Sequence, residues 1–538
     1  MQSPSGCLVN PIITNVNRFV KAKSENTQEE NAQMIHAKQF IISKKQYNGP
    51  DFLHIQLSDG YTLSCHKDLE VFCLERSGIL LLGIAWQTDP LRPAPAVEME
   101  ELAEKYDGAI PEERILRMEE SWCGRYVLIV QGRVYLDASG LLGIFYSKTG
   151  ISSSCSLLAD SMGLPQQFYT SSPDMNWLPA PLTPFEQIKR LLPSQTYDYY
   201  KQTPLPRQLL AAHAPVCSSE EDRIRTFTDF FTSSLQNMVK TLPGKKILIP
   251  LTGGYDSRTL LALAKHAGIE FECVTLEHGT ISIGDRDIPS KICQALDIPY
   301  IYVHRQPVKY SEGLIDEYRL HTSGLADDGD KLHYAHGQYQ ELIDRFGDVI
   351  FLRGSLWEVA VEHFQKFIGD TFDSESILDN CGADNNPLIR RSLEEYLYWV
   401  SENKQNGLNA CNLFYWDQRE GSWLSSIEQS FDLMDRTLSL QPLNCRLLIT
   451  LLLGFPKQER MIKQHQVKII SYACPPLAHM EFGSPRKVGQ SSLQLFQEKF
   501  ERGCSRLRTM GLRKTFKTYR HIISVNFKIT KLQHKAKR

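Results

Sequence analysis

The segment Lys246–Arg258, KILIPLTGGYDSR, restricts the fold of this 538-residue chain more than any other part of its sequence. Its continuous apolar run, Ile247–Leu251, predicts a strand buried on both faces, as in a parallel sheet. A Thr-Gly-Gly turn follows directly, and a helix is predicted from Asp256 onward. Paired glycines let backbone N–H groups approach a ligand, and a helix N-terminus adds partial positive charge. The segment therefore predicts an anion site at the carboxyl end of a central strand.

The side chains of this turn indicate a phosphate ligand that carries a metal ion. Asp256 would repel phosphate unless a cation bridged them, and Mg²⁺ binds in this way through one or two carboxylates plus phosphate oxygens. Thr252 and Ser257 add hydroxyl groups. The chain has no GxxxxGK[ST] motif, so this is not a Walker A loop. Glycines chosen for tight packing, with Asp256 as an N-cap, are the alternative, but the whole pattern T-G-G-x-D-S after an apolar strand favours a pyrophosphate site.

The periodicity of apolar residues divides the chain into two halves. Up to about residue 165, short strand-sized runs alternate with turns, and Gln131-Gly132 predicts a hairpin. One helix is predicted in this half, at Val97–Met118. The proline-rich stretch Pro173–Pro206 is interpreted as a connection between domains. From Ala211 onward strands alternate with helices, which is typical of a doubly wound parallel sheet.

The second half can be divided into individual elements. Beyond residue 390 the apolar spacing is helical throughout, which predicts a helical cap on the sheet. Strands are predicted at Ile247–Leu251, Phe271–Leu276, Tyr300–His304 and Val349–Arg353, and helices at Glu220–Val239, Asp256–His266, Ile288–Leu296 and Gly337–Phe346.

Composition indicates the broad class of protein to which the chain belongs. The chain is too long for one hydrophobic core, and its 42% apolar and 23% charged residues are ordinary for a globular protein. The net charge of -2 gives no general attraction to nucleic acid or membrane. The 13 cysteines form no CxxC pair, which favours reduced thiols and no disulfide-linked partner. Because no signal-like N-terminus or membrane-length apolar run is seen, we expect a cytoplasmic protein without an integral membrane segment.

Three motifs resemble one family. The segment PLTGGYDSR resembles the [ST]GGxDS loop (PP-loop) of the ATP pyrophosphatase superfamily, and within it the asparagine synthetase-like branch. Trp122–Ser147 resembles the two-strand segment of that family's glutaminase domain, and Gln441–Arg446 resembles a helix start in its synthetase domain. The resemblance implies an α+β Ntn-hydrolase-like β-sandwich over residues 1–205, related to class II glutamine amidotransferases. It implies an α/β doubly wound ATP-pyrophosphatase domain with a helical C-terminal cap over residues 206–538.

The family's glutaminase nucleophile is not in place. That nucleophile is an N-terminal cysteine exposed when the initiator Met is removed, whereas this chain has Gln2 there, and Cys7 would need a further cleavage. The family's RGPD and NGE motifs are also absent. The resemblance then implies a degenerate amidotransferase-like domain, as in β-lactam synthetases, lasso-peptide cyclases and asparagine synthase-related proteins of polysaccharide clusters.

The resemblance also implies site residues. The ATP and pyrophosphate site would include Val274, Thr275 and Leu276 at the adenine pocket, together with Thr252, Gly253, Gly254, Tyr255, Asp256, Ser257, Arg258 and Gly354. The family's second acidic motif is not present, and Glu358 is either a second metal ligand beside Asp256 or a helix-surface residue. Arg353 could instead face pyrophosphate, and Lys487 is the predicted catalytic cation of the C-terminal lobe.

The sequence leaves the roles of other charged groups open. Asp327, Asp328 and Asp330 could bind metal, although a solvated turn is favoured. Asp285 and Asp287 occupy a place where the family has an aspartate, but N-capping explains Asp287 equally well. From Arg502 to the end there are about a dozen Lys and Arg and no Asp or Glu. This basic tail could contact an anionic partner, although a solvated terminal helix is more common.

The function implied is that of an AMP-forming carbon–nitrogen ligase that uses ATP and Mg²⁺. It would adenylate a small-molecule or peptide carboxylate and couple it to an amine or ammonia, in the biosynthesis of a natural product or polysaccharide. The alternatives are a tRNA-modifying enzyme of the same superfamily and a non-catalytic partner protein. The sequence does not identify the acid or the amine.

Overall fold

Two antiparallel sheets and one parallel sheet organise the chain in the computed structural model. The structure describes residues 36–57, 60–106, 109–165, 177–278, 281–304, 322, 329–364, 377, 387–434 and 436–482, with only the backbone of 329–336. The antiparallel strands are β1 Phe40–Ser43, β2 Phe52–Gln56, β3 Thr62–His66, β4 Val71–Leu74, β5 Ile79–Gln87, β6 Trp122–Val130, β7 Arg133–Leu136, β8 Phe145–Tyr146, β9 Gly150–Ser152, β10 Lys189–Arg190, β11 Gln195–Asp198 and β12 Thr203–Pro206.

These strands form a sandwich of two six-stranded sheets, in the orders β10-β8-β9-β1-β3-β2 and β12-β11-β7-β6-β5-β4. Alternate residues of both sheets meet in one apolar core, for example Phe40 and Leu63 with Leu82 and Val127. Helices α1 (Pro95–Tyr106) and α2 (Glu112–Glu119) cover the outer face of the second sheet, and α3 (Cys155–Met162) covers that of the first. The predicted β-sandwich half is confirmed as an architecture of four layers, and its assignment as Ntn-hydrolase-like stays a prediction.

The local predictions in this half have mixed outcomes. The Gln131-Gly132 hairpin is confirmed: it joins β6 to β7, and both residues have positive φ, 51° and 79°, as a type I′ turn requires. The single helix predicted at Val97–Met118 is wrong. Two helices form instead, and Pro111, which cannot continue a helix, stands directly before the second of them. The stretch Pro173–Pro206 is more than a linker, since it supplies β10, β11 and β12.

The parallel sheet contains β13 (Lys246–Pro250), β14 (Glu272–Leu276), β15 (Tyr300–Val303), β16 (Val349–Leu352) and β17 (Thr437–Leu440). Its order is β15-β14-β13-β16-β17, and every neighbouring pair is parallel. The predicted α/β doubly wound sheet is confirmed. Because the strand order reverses between β13 and β16, the carboxyl ends of these two strands form the crevice in which such sheets bind ligands.

Helices surround this sheet and continue beyond it. Their bounds are α4 Glu220–Thr241, α5 Tyr255–His266, α6 Ile283–Leu296, α7 Gly329–Phe346, α8 Pro387–Glu402, α9 Ala410–Phe414, a π-helix Tyr415–Leu424, α10 Ser425–Ser430, α11 Arg446–Leu453, α12 Lys457–Met461, α13 Gln464–Ala473 and α14 Pro475–Ala478. The prediction of helix alone beyond residue 390 is wrong at one point, where Thr437–Leu440 forms the edge strand β17. Among the described residues no helix has the length and apolarity needed to cross a membrane.

One loop of the sandwich half packs on the π-helix. The buried carboxylate of Asp137 accepts hydrogen bonds from the backbone N–H groups of Ser139, Leu141 and Leu142, and so orders the loop. The carbonyl of Ala138 in this loop accepts a hydrogen bond from the indole of Trp416, 2.9 Å long. From residue 36 onward the described residues belong to one compact unit, while the predicted boundary near residue 205 stays a prediction.

Candidate functional site

The Thr-Gly-Gly turn lies where the sequence predicts it, between β13 and the N-terminus of α5. Its hydrogen bonds are largely internal: Thr252 N–H donates to Ser257 Oγ (3.1 Å) and Gly254 N–H to Thr252 Oγ1 (3.2 Å). Gly253 N–H donates to the carboxylate of Asp285 (2.9 Å). The N–H groups of Tyr255 and Asp256, in the first turn of α5, have no acceptor within the helix. They are the amides this turn offers to an anion.

Asp256 belongs to a cluster of charged side chains that joins three parts of the chain. Lys463 Nζ donates to both carboxylate oxygens of Asp256, at 3.1 and 3.3 Å, and to Glu358 Oε1 at 2.6 Å. Gln466 Nε2 donates to Asp256 Oδ1 at 2.8 Å, and His363 Nδ1 lies 3.2 Å from Glu358 Oε2. Two carboxylates from separate helical segments thus share one ammonium group.

Packing explains why these groups meet. Lys463 immediately precedes α13, which packs along α5, the helix that begins at the Thr-Gly-Gly turn. Glu358 lies in the 3-10 helix Trp357–Ala360 after β16. Two non-glycine residues here have left-handed backbone: Lys463 itself (φ 59°) and Leu356 (φ 72°). Such conformations cost about 1 kcal/mol or more each and persist where surrounding contacts hold them.

Burial and the neighbouring charges shift the pKa of each of the three charged groups in the cluster. Burial raises the pKa of Asp256. The positive charge of Lys463 opposes this effect, and the negative charge of Glu358 adds to it. Burial also disfavours ionisation of Glu358, but the hydrogen bond from His363 and the charge of Lys463 outweigh it and lower the pKa of Glu358 to about 2. The two carboxylates overcome the burial of Lys463 and raise the pKa of its ammonium group. Lys463 is therefore a fixed cation near neutral pH.

A hard divalent cation fits this donor set. Asp256 and Glu358 already direct their oxygens at one cation, the Lys463 ammonium, and two carboxylates plus phosphate oxygens are a usual environment for Mg²⁺. Metal binding would require Lys463 to move from between them. Within the described residues no group of three or more His, Cys, Asp or Glu is arranged to hold a metal. The metal roles predicted for Asp256 and Glu358 remain predictions.

Arg258 supports the loop from within the protein. Its guanidinium is fully buried, donates to the carbonyls of Met480 (3.0 Å) and Glu481 (2.7 Å), and lies 3.9 Å from the ring centre of Phe482. The Tyr255 ring also stacks on Phe482, with 4.1 Å between the two ring centres. Arg258 thus anchors residues 480–482 beside the turn, whereas the sequence predicted a phosphate ligand.

The loop after β16 approaches the turn closely. A Cβ atom on Gly354 would lie 3.0 Å from the backbone carbonyl oxygen of Asp256, so only glycine fits there without displacement. The guanidinium of Arg353 donates to Glu428 at 2.7 Å and lies 5.2 Å from the ring centre of Phe431. Arg353 is therefore engaged by α10 in this structure, and its predicted contact with pyrophosphate stays a prediction.

The residues predicted at the adenine pocket lie beside the turn. Val274 and Thr275 are buried in β14, and Leu276 is half-buried at the carboxyl end of that strand. Thr275 Oγ1 donates to the carbonyl of Leu251, the residue before Thr252. Of the three, Leu276 alone is open enough to offer side-chain surface to a base.

The π-helix adds two buried acids near this site. Asp417 accepts hydrogen bonds from Ser194 N–H (3.0 Å), Ser194 Oγ (2.7 Å) and Tyr396 OH (3.3 Å). Glu420 is 3% exposed. Burial raises the pKa of Asp417 to about 7 and that of Glu420 to about 8. Next to Glu420, Arg419 stacks on Trp423, with its guanidinium 3.5 Å from the ring centre.

The remaining predictions are placed as follows. Ser282, not Asp287, is the N-cap of α6, and Asp285 completes the cap while accepting the N–H of Gly253. Asp287 pairs with Arg286. Asp327, Asp328, the side chain of Asp330, Gln2, Cys7, Lys487 and the basic tail all lie outside the described residues.

Sequence reasoning missed the cation that the structure places in the site. Lys463 contacts Asp256 from 207 residues away, and nothing in its local sequence distinguishes it from a surface lysine before a helix. Gln466, three residues later, was missed for the same reason. Glu420 was missed because its sequence context, DQREGSW, reads as a polar segment rather than a buried one.

Comparison with known proteins adds little. No protein-family model matches the chain, and no curated protein matches it. Among solved structures, one match is NMN synthetase from Francisella tularensis, with 15% sequence identity over 37% of this chain and 92% of that one. The TM-score of 0.19 is too low to indicate a shared fold, and the site must be interpreted from its own geometry.

Proposed function

We propose that this protein is an ATP-dependent, AMP-forming ligase that joins a carboxylate to an amine. The observation that carries the proposal is the meeting of the T-G-G-Y-D-S turn with Asp256, Glu358 and Lys463 at the strand-order reversal of a parallel sheet. This site combines open first-turn amides, a carboxylate pair suited to a cation and an ammonium group whose charge is stabilised. Those three features together suit a triphosphate better than a singly charged ligand.

In the first step a carboxylate oxygen of the substrate attacks the α-phosphorus of ATP, and the bond from that phosphorus to the β-phosphate oxygen breaks. An acyl-adenylate forms and pyrophosphate leaves. The first-turn amides of α5 would hold the departing oxygens, since fixed donors stabilise developing charge at no reorganisation cost. The ammonium of Lys463 would add a positive charge beside them. Lys463 would turn from the two carboxylates toward phosphate when ATP binds.

Asp256 and Glu358 would hold a divalent cation in this complex. Bound there, the ion supplies neutralisation of negative charge on the leaving pyrophosphate. In the second step the nitrogen of an amine attacks the acyl carbon, and AMP leaves. The products are an amide, AMP and pyrophosphate, as expected for an asparagine synthetase-like ligase.

The test is exchange of labelled pyrophosphate into ATP, dependent on an added carboxylic acid. The full chain would be assayed with Mg²⁺ and pools of proteinogenic amino acids and dicarboxylic acids. We expect exchange with at least one pool, and its loss in Asp256→Ala, because that variant lacks the carboxylate at the phosphate site. Asp229→Ala is the matched control, since Asp229 is an exposed aspartate of α4.

Other results would select a different function. Exchange that persists in Asp256→Ala would contradict the role of the turn. Failure of the chain to bind ATP would support the reading as a non-catalytic partner protein. ATP turnover that depends on added tRNA rather than on a carboxylic acid would support the tRNA-modifying alternative.

A further inference from the structure

The segment that carries Glu358 has a strained backbone at both of its ends. It begins at Leu356 (φ 72°) and ends at Glu362 (φ 58°), and neither residue is glycine. Left-handed backbone at such residues persists only where the surrounding contacts enforce it, and it is frequent at functional sites. The contacts that hold segment 356–362 therefore bear on the geometry of the phosphate site.

Packing accounts for the first part of this segment. Leu356 and Trp357 are each 1% exposed, and the Trp357 ring stacks on Phe231 of α4, with 6.1 Å between the ring centres. Asn412 of α9 donates a hydrogen bond to the carbonyl of Val359 at 2.5 Å. These contacts fix the beginning and the middle of the segment, so its end must be held by other groups.

A buried ion pair holds that end. The side chains of Glu362 and Arg460 are only 1% and 7% exposed, and Arg460 Nη2 lies 3.2 Å from Glu362 Oε1. Asn409 Nδ2 donates to the same oxygen at 2.7 Å, and Lys457 Nζ lies 3.8 Å from Oε2. A buried ion pair is often no more stabilising than apolar side chains of similar volume, so stability alone does not account for this one.

The guanidinium of Arg460 also connects the two sides of the site. Its Nη1 donates to the carbonyl of Ala360, two residues after Glu358, at 2.5 Å. Its Nε donates to the carbonyl of Phe455 at 2.9 Å, and the backbone carbonyl of Arg460 accepts the N–H of Lys463 at 3.1 Å. One planar set of donors therefore fixes the backbone near Glu358 relative to the backbone near Lys463.

We propose that Glu362 and Arg460 are positioning residues for the phosphate site. Arg460 holds segment 356–362 against residues 455–463, and Glu362 orients the guanidinium that does so. The pair thereby keeps Glu358 within 2.6 Å of the Lys463 ammonium and sets the separation of the two carboxylates that would hold a divalent cation. The use of this geometry for ATP rests on the proposed function, whereas the geometry itself rests on the contacts alone.

The test compares two buried glutamates that have similar partners. In Glu362→Gln the side chain loses its negative charge and no longer forms an ion pair with Arg460. Glu98→Gln is the matched control, because Glu98 is 8% exposed, pairs with Arg92 and accepts a hydrogen bond from the amide of Gln87 at 3.2 Å. Glu98 lies in α1, on the outer face of the sandwich.

The first measurement does not depend on catalysis. The full chain without nucleotide is treated with acetic anhydride, and acetylation of Lys463 is followed by peptide mass spectrometry, with the exposed Lys201 as the internal reference. In Glu362→Gln we expect Lys463 to react about fivefold faster, the change that corresponds to loss of one hydrogen bond of its ammonium group. Glu98→Gln should react at the wild-type rate.

The second measurement is the Mg²⁺ concentration that gives half-maximal, acid-dependent pyrophosphate exchange. We expect it to rise about tenfold in Glu362→Gln, because groups that orient metal-binding carboxylates typically contribute that much to metal affinity. The maximal rate at saturating Mg²⁺ should change less. Arg460→Lys keeps the positive charge but lacks the planar set of donors, so it should show the same two changes, and it decides the question if Glu362→Gln does not fold.

Wild-type acetylation of Lys463 in either Glu362→Gln or Arg460→Lys would overturn the inference. Equal acceleration in Glu98→Gln would also overturn it, since that result indicates a general loss of stability rather than a role at the site. Faster acetylation of Lys463 in Glu362→Gln, in a protein whose wild type shows no exchange, would refute the proposed function while supporting the positioning role.

Discussion

At the scale of single residues, the turn after β13 and the loop after β16 meet through backbone atoms. A Cβ atom on Gly354 would lie 3.0 Å from the carbonyl oxygen of Asp256, and 3.1 Å from its carbonyl carbon and from Cα of Ser257. Backbone atoms at a helix start cannot rotate away as a flexible side chain can. The position of Asp256 therefore depends on the missing side chain at 354.

We expect Gly354→Ala to push the two loops apart. Overpacking of this kind costs roughly 1–3 kcal/mol, and part of that cost should appear as lost alignment of Asp256 with Lys463. Chemical denaturation would measure the stability change, and the concentration of ATP needed for half-maximal exchange would measure the effect on the site. A variant with wild-type values in both measurements would show that the loops yield without consequence.

The same residues show what the sequence could predict at this scale. The turn and Asp256 were predictable because a strand, two glycines and a helix start are adjacent along the chain. Lys463 and Glu420 were not, since each is brought to the site only by the packing of helices distant in sequence. The phosphate role of Arg258 stays a prediction, and its bonds to the carbonyls of Met480 and Glu481 were not predictable because backbone carbonyls carry no sequence signal.

At the scale of elements, the π-helix Tyr415–Leu424 connects the sandwich to the parallel sheet. Asp417 receives two hydrogen bonds from Ser194 in the segment between β10 and β11. Arg190 of β10 donates to the carbonyls of Gly421 (3.1 Å) and Ser422 (2.7 Å) of the same helix. Side chains of the sandwich half thus bond to both a carboxylate and the backbone of the π-helix, and fix its orientation.

The buried acid of this helix should make stability depend on pH. Burial raises the pKa of Asp417 to about 7, whereas in the unfolded chain it is about 3.9. The folded state therefore binds more protons between these values, and this group's contribution to the free energy of unfolding falls as pH rises from about 4 to about 7. Burial raises the pKa of Glu420 on the same helix to about 8, and this group acts in the same direction, so Asp417→Asn should reduce the dependence rather than remove it. Denaturation curves at pH 5, about one unit above the lower end of this range, and at pH 7.5, just above its upper end, would show a smaller loss of stability in the variant than in the wild type.

Elements were predictable where local sequence decides them. The β13–α5 unit and the Gln131-Gly132 hairpin follow from adjacent residues. The strand β17, Thr437–Leu440, did not, because four residues of sequence TLSL in a helix-rich region become a strand only when β16 offers an edge to pair with. The π-helix has no recognised sequence pattern, since its wider turn is imposed by partners such as Ser194 and Arg190.

At the scale of the whole molecule, buried ion pairs join the sandwich half to the parallel-sheet half. Arg125 of β6 forms a double hydrogen bond with Asp432, at 2.5 and 2.6 Å, and Gln39 donates to the same carboxylate at 2.6 Å. The side chains of Arg125 and Asp432 are only 10% and 4% exposed. Removing one partner would leave a buried charge without its counterion.

We expect Asp432→Ala to destabilise the protein by about 3–5 kcal/mol, because Arg125 would remain buried and unpaired. The double variant Arg125→Met with Asp432→Leu should recover much of that loss, since it buries no charge. Free energies of unfolding from chemical denaturation would give the coupling between the two positions. Losses that simply add in the double variant would show that the pair does not hold the halves together.

Two tryptophans span the same junction. The indole of Trp86 in β5 donates to Ser234 Oγ of α4 at 2.8 Å, and that of Trp416 donates to Ala138 in the sandwich. Both rings are 0% exposed. Because indole emission shifts to longer wavelength when water reaches the ring, the chain carries an intrinsic optical probe of this junction. Its fluorescence would report any separation of the two halves without an added label.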